Sequence, residues 1–253
     1  VALGGHAVKL GYNVLHYTLE LGEQYVGRRY DAFFSNIGVD KIQKHKDKIE
    51  SIMGDLKGHL IIKEFPTGKA TMSTIEAHIQ KVKDMGIDPD LIIIDYVDLL
   101  SSKRKTVDRK GEIDDIYTST KGLARELDIP VWSVSQVNRA GAKDNIVEGD
   151  KAAGSYDKIM ITDVCISLSR QRKDKVEGTG RFHIMKNRYG MDGLTFGVRA
   201  DTSTGHFEVS NDLYQEGEEV ENTTSSPTPT NTFSGIDKFD RSELQKKFFE
   251  MNT

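Results

Sequence analysis

The stretch that most constrains this chain is LIIIDYVDLL, residues 91–100. Its apolar opening, Leu91 to Ile94, leaves no polar face, so a strand built from it has to be covered on both sides. Such strands belong to parallel sheets clad by helices rather than to sheets with one wet face. Asp95 ends the run, and a buried strand has no packing use for a carboxylate. At the carboxyl edge of a parallel sheet, by contrast, an acid stands where ligands gather. One role there is to serve a metal-bound phosphate, which requires a phosphate-binding loop elsewhere.

The flanking sequence alternates in the same sense. VALGGHAVKLG reads as the back half of a helix, with Ala2, Leu3, His6, Ala7 and Leu10 on one face and Gly11 as its cap. NVLHYTLE is a strand ending in Glu20, and EQYVGRRYDAFFSNIG a helix with Val26, Tyr30 and Phe33 or Phe34 at helical spacing. Charged residues 39–57 form one helix or a pair, and HLIIKEF is a short strand. In STIEAHIQKVKDMG the stripe is Ile75, Ile79, Val82 and Met85; EIDDIYTSTKGLARELD is amphipathic through Ile113, Ile116, Thr120, Leu123 and Leu127. Pro130 then opens the strand VWSVSQ.

Beyond Gln136 the alternation stops. DVCISLS, GRFHIMKNR, LTFGVRAD and HFEVS are closely spaced strands, which predicts antiparallel additions at one side of the sheet. The expected fold class is α/β, a mainly parallel sheet with antiparallel strands added toward the C-terminus. Residues 1–213 make one domain, 214–238 an acidic and Ser/Thr/Pro-rich linker, and 239–253 a tail with Leu244, Phe248 and Met251 spaced as on a helix face. Such a tail is suited to docking a partner.

Composition excludes several classes. At 253 residues there is material for one substantial core. A lone cysteine, Cys165, rules out a disulfide framework, and its apolar surroundings suit a small buried hydrophobe. No run approaches a membrane span and no signal peptide is visible, so the expected location is cytoplasmic, with no membrane partner. The net charge of −4 does not announce a polyanion ligand, although residues 151–200 are locally basic.

Polar residues end four strands: Glu20, Asp95, Gln136, and Lys186 with Arg188. Each alone reads as a helix cap or solvated edge; all of them, in this order, point to a site. YTLEL, LIIIDYVDLL, PVWSVSQVNRAG and HIMKNRYGMDG resemble successive motifs of the RecA-type ATPase domain of DnaB-like replicative DNA helicases. The resemblance covers about residues 1–210, and SQVNR and KNRYGMDG are its most specific pieces.

The resemblance implies a RecA-like P-loop NTPase fold, ATP and Mg²⁺ as cofactors, and a homo-hexamer moving 5′ to 3′ on single-stranded DNA. Under it, Glu20 matches the catalytic glutamate, and Asp95 the acid that holds Mg²⁺ through water. Gln136 matches the γ-phosphate sensor, and Lys186 and Arg188 the basic pair that reaches a neighbouring subunit's nucleotide. Asn187 should face the other way on the strand. DNA contacts are expected from Arg139, Lys143, Lys151, Gly154, Ser155 and Lys158, although Ala152 and Ala153 stand where the family pattern has arginine and glutamate. Asp98 gains no role and reads as solvated. Primase, loader or polymerase are the tail's expected partners, and the divergent loops suit a phage enzyme.

One part is missing. GxxxxGK[ST], the loop that cradles phosphates, occurs nowhere in the 253 residues; GGHAVKLG has the wrong spacing. The expectation is a chain cut just downstream of that loop, inactive as it stands. Two other readings stay open: a recombinase or clock-type ATPase, and a noncatalytic DNA-binding or assembly subunit.

Overall fold

Among the described residues the apolar runs form two four-stranded sheets. A computed structural model describes residues 1–102, 109–136, 146–147 and 157–214, all within one compact unit, Val1–Val220. The proposed linker and tail, apart from Tyr214, lie outside the described residues. The first sheet is parallel, in the order β2-β1-β3-β4, with β1 Val14–Thr18, β2 Leu60–Glu64, β3 Leu91–Asp95 and β4 Val131–Ser133. The second is antiparallel and runs in chain order: β5 Val164–Ser169, β6 Thr179–Asn187, β7 Thr195–Asp201 and β8 His206–Leu213. The antiparallel strands expected toward the C-terminus are therefore present, as a sheet of their own among the described residues.

Strand alternation divides the core into two layers. Leu15 and Tyr17 of β1 and Ile92 and Ile94 of β3 pack with α4 (Met72–Asp84) and α5 (Arg109–Leu127), through Ile75, Ile79, Val82, Ile113, Ile116 and Leu123. Val14 and Leu91 pack on the opposite side with Val8 of α1 (Ala2–Lys9) and Val26, Tyr30 and Phe33 of α2 (Glu23–Ser35). Both faces are clad, as the unbroken apolar run of β3 required. The charged stretch 39–57 resolves into a 3-10 turn, Ile42–His45, followed by α3, Lys46–Gly54. Two short helices, α6 (Asp157–Ile161) and α7 (Arg172–Glu177), flank β5. Among the described residues no helix is long and apolar enough to cross a membrane.

Two predicted faces are corrected. In α1 the buried residues are Gly4, Gly5 and Val8, whereas Leu3 and Leu10 are exposed. A Cβ on Gly5 would collide with the Phe33 ring, so α1 approaches α2 through the space that glycine leaves. Met85 falls after the last turn of α4 and is 74% exposed, outside the Ile75–Ile79–Val82 stripe.

A histidine sits inside the α1/α2 layer. His16 on β1 is 3% exposed, and its Nδ1 makes a 2.8 Å hydrogen bond with Tyr30 Oη. Burial pushes the imidazole down to about 3 from its ordinary 6.5. The fold therefore holds His16 neutral. Below pH 6.5 the unfolded chain takes up this proton while the folded chain does not, so stability is full above that value and falls as the pH drops toward 3. The expected loss from this group is about 2 kcal/mol at about pH 5 relative to neutrality. Urea titrations of the wild type and of His16→Gln at both pH values measure it: the variant should lack this increment, and identical pH dependence would refute it.

Candidate nucleotide site at the carboxyl edge of the parallel sheet

The carboxyl ends of the parallel strands coincide. Thr18 pairs with Asp95 on one side and with Glu64 on the other, and Ile94 pairs with Ser133. Glu20 stands two residues past the end of β1 in a turn clamped at several points. The Leu19 N–H donates to Asp95 O at 2.9 Å. The Thr18 hydroxyl donates to Leu21 O at 2.7 Å and accepts the Leu21 N–H at 3.2 Å. Thr67 Oγ1 donates to Leu19 O at 2.5 Å. The backbone around Glu20 is held while its side chain stays exposed, the state suited to a group that meets a ligand.

Hydroxyls also tie β3 to β4. Ser133 Oγ donates to Ile94 O at 2.8 Å and accepts the Val97 N–H at 3.1 Å. The peptide between Asp95 and Tyr96 is cis. Tyr96 projects among the acids: burial raises its phenol's pKa, and the charges of Glu20, Asp98 and Asp95 add to the effect. The Gln136 amide reaches to 3.5 Å of Tyr96 Oη, a long hydrogen bond. Glu20, Asp95 and Gln136 are thus brought to one edge with Tyr96 among them. The sequence reading passed over Tyr96; its signal was an aromatic with a polar tip placed directly after the strand-end acid.

The other expected site residues are placed elsewhere. Lys186 and Arg188 come from β6 and the turn after it. Lys186 Nζ donates to Ile159 O at 2.8 Å and Met160 O at 2.7 Å, and the Arg188 guanidinium donates to Met160 O at 3.0 Å. Lys121 joins them, donating to Ile161 O at 2.9 Å and Asp163 Oδ1 at 2.7 Å. Three cations thus gather on the last carbonyls of α6, where helix polarity favours positive charge. Burial lowers the Lys186 pKa, and the neighbouring Arg188 and Lys121 lower it further. Asn187 bonds instead within the turn that follows β6, donating to Met191 O at 3.3 Å and accepting the Tyr189 N–H at 3.1 Å.

Among the expected DNA contacts, Arg139, Lys143, Lys151, Gly154 and Ser155 lie outside the described residues. Lys158 is described, and there the reading is corrected. It is 3% exposed, and its ammonium lies 2.8 Å from Asp98 Oδ2. An ammonium buried against a carboxylate is not presented to a phosphate backbone. Asp98 is corrected with it: its side chain is 15% exposed and ion-paired rather than solvated.

The acids fit a hard cation only in part. Among the described residues no group of three or more His, Cys, Asp or Glu side chains could cage a metal. A strand-end aspartate beside an exposed glutamate suits Mg²⁺ held through water and nucleotide oxygens, the usual mode for that ion. The phosphate cradle itself is not in this sequence.

The family model of the DnaB-like helicase C-terminal domain matches residues 3–207. The chain belongs to that family. It is 25% identical over 205 residues to the DnaB-like replicative helicase of Enterobacteria phage T4, covering 75% of this chain and 42% of the phage protein. To the replicative DNA helicase DnaB of Geobacillus stearothermophilus it is 31% identical over 142 residues, 53% of this chain and 31% of the relative. The chain thus spans less than half the length of these DnaB-like relatives. Among solved structures, one ATPase domain superposes with a TM-score of 0.67 at 19% identity, covering 80% of this chain and 76% of that one. A DnaB-like replicative helicase studied with its primase interactions gives a TM-score of 0.67 at 20% identity, over 80% of this chain and 53% of that one. At these identities the superpositions establish the RecA-like ATPase fold.

Proposed function

We propose that this chain is the motor portion of a replicative DNA helicase, which couples ATP hydrolysis to movement along single-stranded DNA and opens the duplex ahead. The observation that carries this reading is the convergence of Glu20, Asp95 and Gln136 on one strand edge in a DnaB-like chain. Bound Mg²⁺ would offset the negative charge of the nucleotide's phosphates. Asp95 would hold that ion through its water shell. Glu20, exposed on a clamped turn, would orient and polarise the attacking water. Gln136, three residues past the end of β4, would register the γ-phosphate.

Lys186 and Arg188 are assigned to the neighbouring subunit's nucleotide, where cations stabilise charge on the transferred phosphoryl group. That assignment requires a ring, and we assign a homo-hexamer moving 5′ to 3′. DNA contact falls to Arg139, Lys143, Lys151, Gly154 and Ser155. Residues 239–253 would dock a primase, loader or polymerase, and the assembly would work in the cytoplasm of a bacterial or phage-infected cell.

Strand displacement on a forked duplex tests the reading. A protein continuing upstream of Val1 through a phosphate-binding loop should release the strand only with ATP and Mg²⁺, and its hydrolysis should rise with single-stranded DNA. Residues 1–253 alone should hydrolyse no measurable ATP. Strand pairing without displacement would favour a recombinase-type ATPase, and DNA binding without turnover an assembly subunit.

A further inference from the structure

A charged triangle lies behind the strand edge. Asp98 sits on the 3-10 turn Val97–Leu99, three residues past Asp95, and the Arg109 guanidinium holds its backbone, donating to Asp98 O at 2.7 Å. Asp98 Oδ2 accepts from Lys158 Nζ at 2.8 Å and from Ser135 Oγ at 3.0 Å. Lys158 Nζ also donates to Ser135 Oγ at 3.2 Å, closing the triangle. The ammonium stands 5.5 Å over the Tyr117 ring, and the Lys158 and Asp98 side chains are 4% and 15% exposed.

The three corners come from distant parts of the chain, and each adjoins a working part. Asp98 follows the Asp95 strand, and Ser135 immediately precedes Gln136. Lys158 is the second residue of α6, directly after the stretch to which Lys151, Gly154 and Ser155 belong. A buried ion pair is a poor way to gain stability, because desolvating both charges offsets most of their attraction. Its distinctive property is geometric: a carboxylate, a hydroxyl and an ammonium satisfy one another in few arrangements. A shift of α6 therefore moves the partner that fixes Ser135, and with it the backbone that carries Gln136.

Building on the helicase reading above, we propose that Asp98 and Lys158 are a buried positioning pair linking α6 to Gln136, through which single-stranded DNA sets the rate of hydrolysis. Neither side chain touches nucleotide or DNA.

The test is steady-state hydrolysis by the full-length protein, with and without oligo(dT), for the wild type, Lys158→Met, Lys158→Arg and the double variant Asp98→Leu/Lys158→Met. The double variant replaces both charges by apolar groups and so guards against a fold lost to one unpaired buried charge. Stimulation by DNA should fall about tenfold in Lys158→Met and in the double variant, while the KM for ATP moves less than about threefold. Lys158→Arg should restore most of the stimulation. The salt dependence of DNA binding should keep its slope in every variant, since no phosphate contact is removed. Retained stimulation in the double variant, or a shallower slope, overturns the proposal. Wild-type protein that is not stimulated by DNA overturns the helicase reading itself, and this inference with it.

Discussion

In the full-length protein, Glu20→Gln should lower ATP turnover by a factor of about 100 to 10,000, the range for removing a positioned general base. Nucleotide affinity should stay within about threefold, because the change removes a proton acceptor and little else. The structure makes the substitution unusually clean. The turn that carries Glu20 is held by Thr18, by Thr67 and by the Leu19 N–H bonded to Asp95 O. None of those bonds uses the Glu20 side chain, so glutamine inherits the same backbone. Turnover measured by phosphate release, with affinity measured by a fluorescent nucleotide analogue, separates the two quantities. Normal turnover would remove Glu20 from the chemistry.

Arg188→Ala should cost about 10³–10⁵ in turnover if its guanidinium serves as an arginine finger. Its effect on the stability of the isolated chain should be small, below about 1 kcal/mol, because its bonds to Met160 O and Asp163 are largely exposed. Mixing distinguishes a finger acting on the neighbour from one acting within its own subunit. In a ring built head to tail, equal amounts of the Glu20→Gln and Arg188→Ala proteins leave about one interface in four with both groups intact. Hydrolysis should reappear when the two inactive proteins are combined and allowed to exchange. A mixture as inactive as its components would place Arg188 outside the neighbour's site.

The strand edge was legible because its signals are local. An apolar run ending in an acid needs only a handful of residues to be read: Asp95 ends β3 as expected, while β1 and β4 stop two and three residues short of Glu20 and Gln136. What escaped was either too short or too distant. Helices α6 and α7 are 5 and 6 residues long, less than two turns, so they carry no periodicity. The Asp98–Lys158 pair joins residues 60 apart in sequence, and no local pattern marks a lysine as buried. In α1 the misreading came from hydropathy itself. Gly4 and Gly5 score as neutral, yet the absent Cβ is what brings the helix onto Tyr30 and Phe33. The basic residues at the end of β6, Lys186 and Arg188, were legible as a pair, but their hold on the carbonyls of α6 was not.

Strand β4 carries one more property. Trp132, 40% exposed, is the only tryptophan in these 253 residues and stands four positions before Gln136. Indole emission from this chain therefore originates entirely on β4, the strand that leads to Gln136, and it varies with the wetness of its surroundings. It is an optical gauge built into the strand beside the proposed nucleotide site, and reading it requires no label.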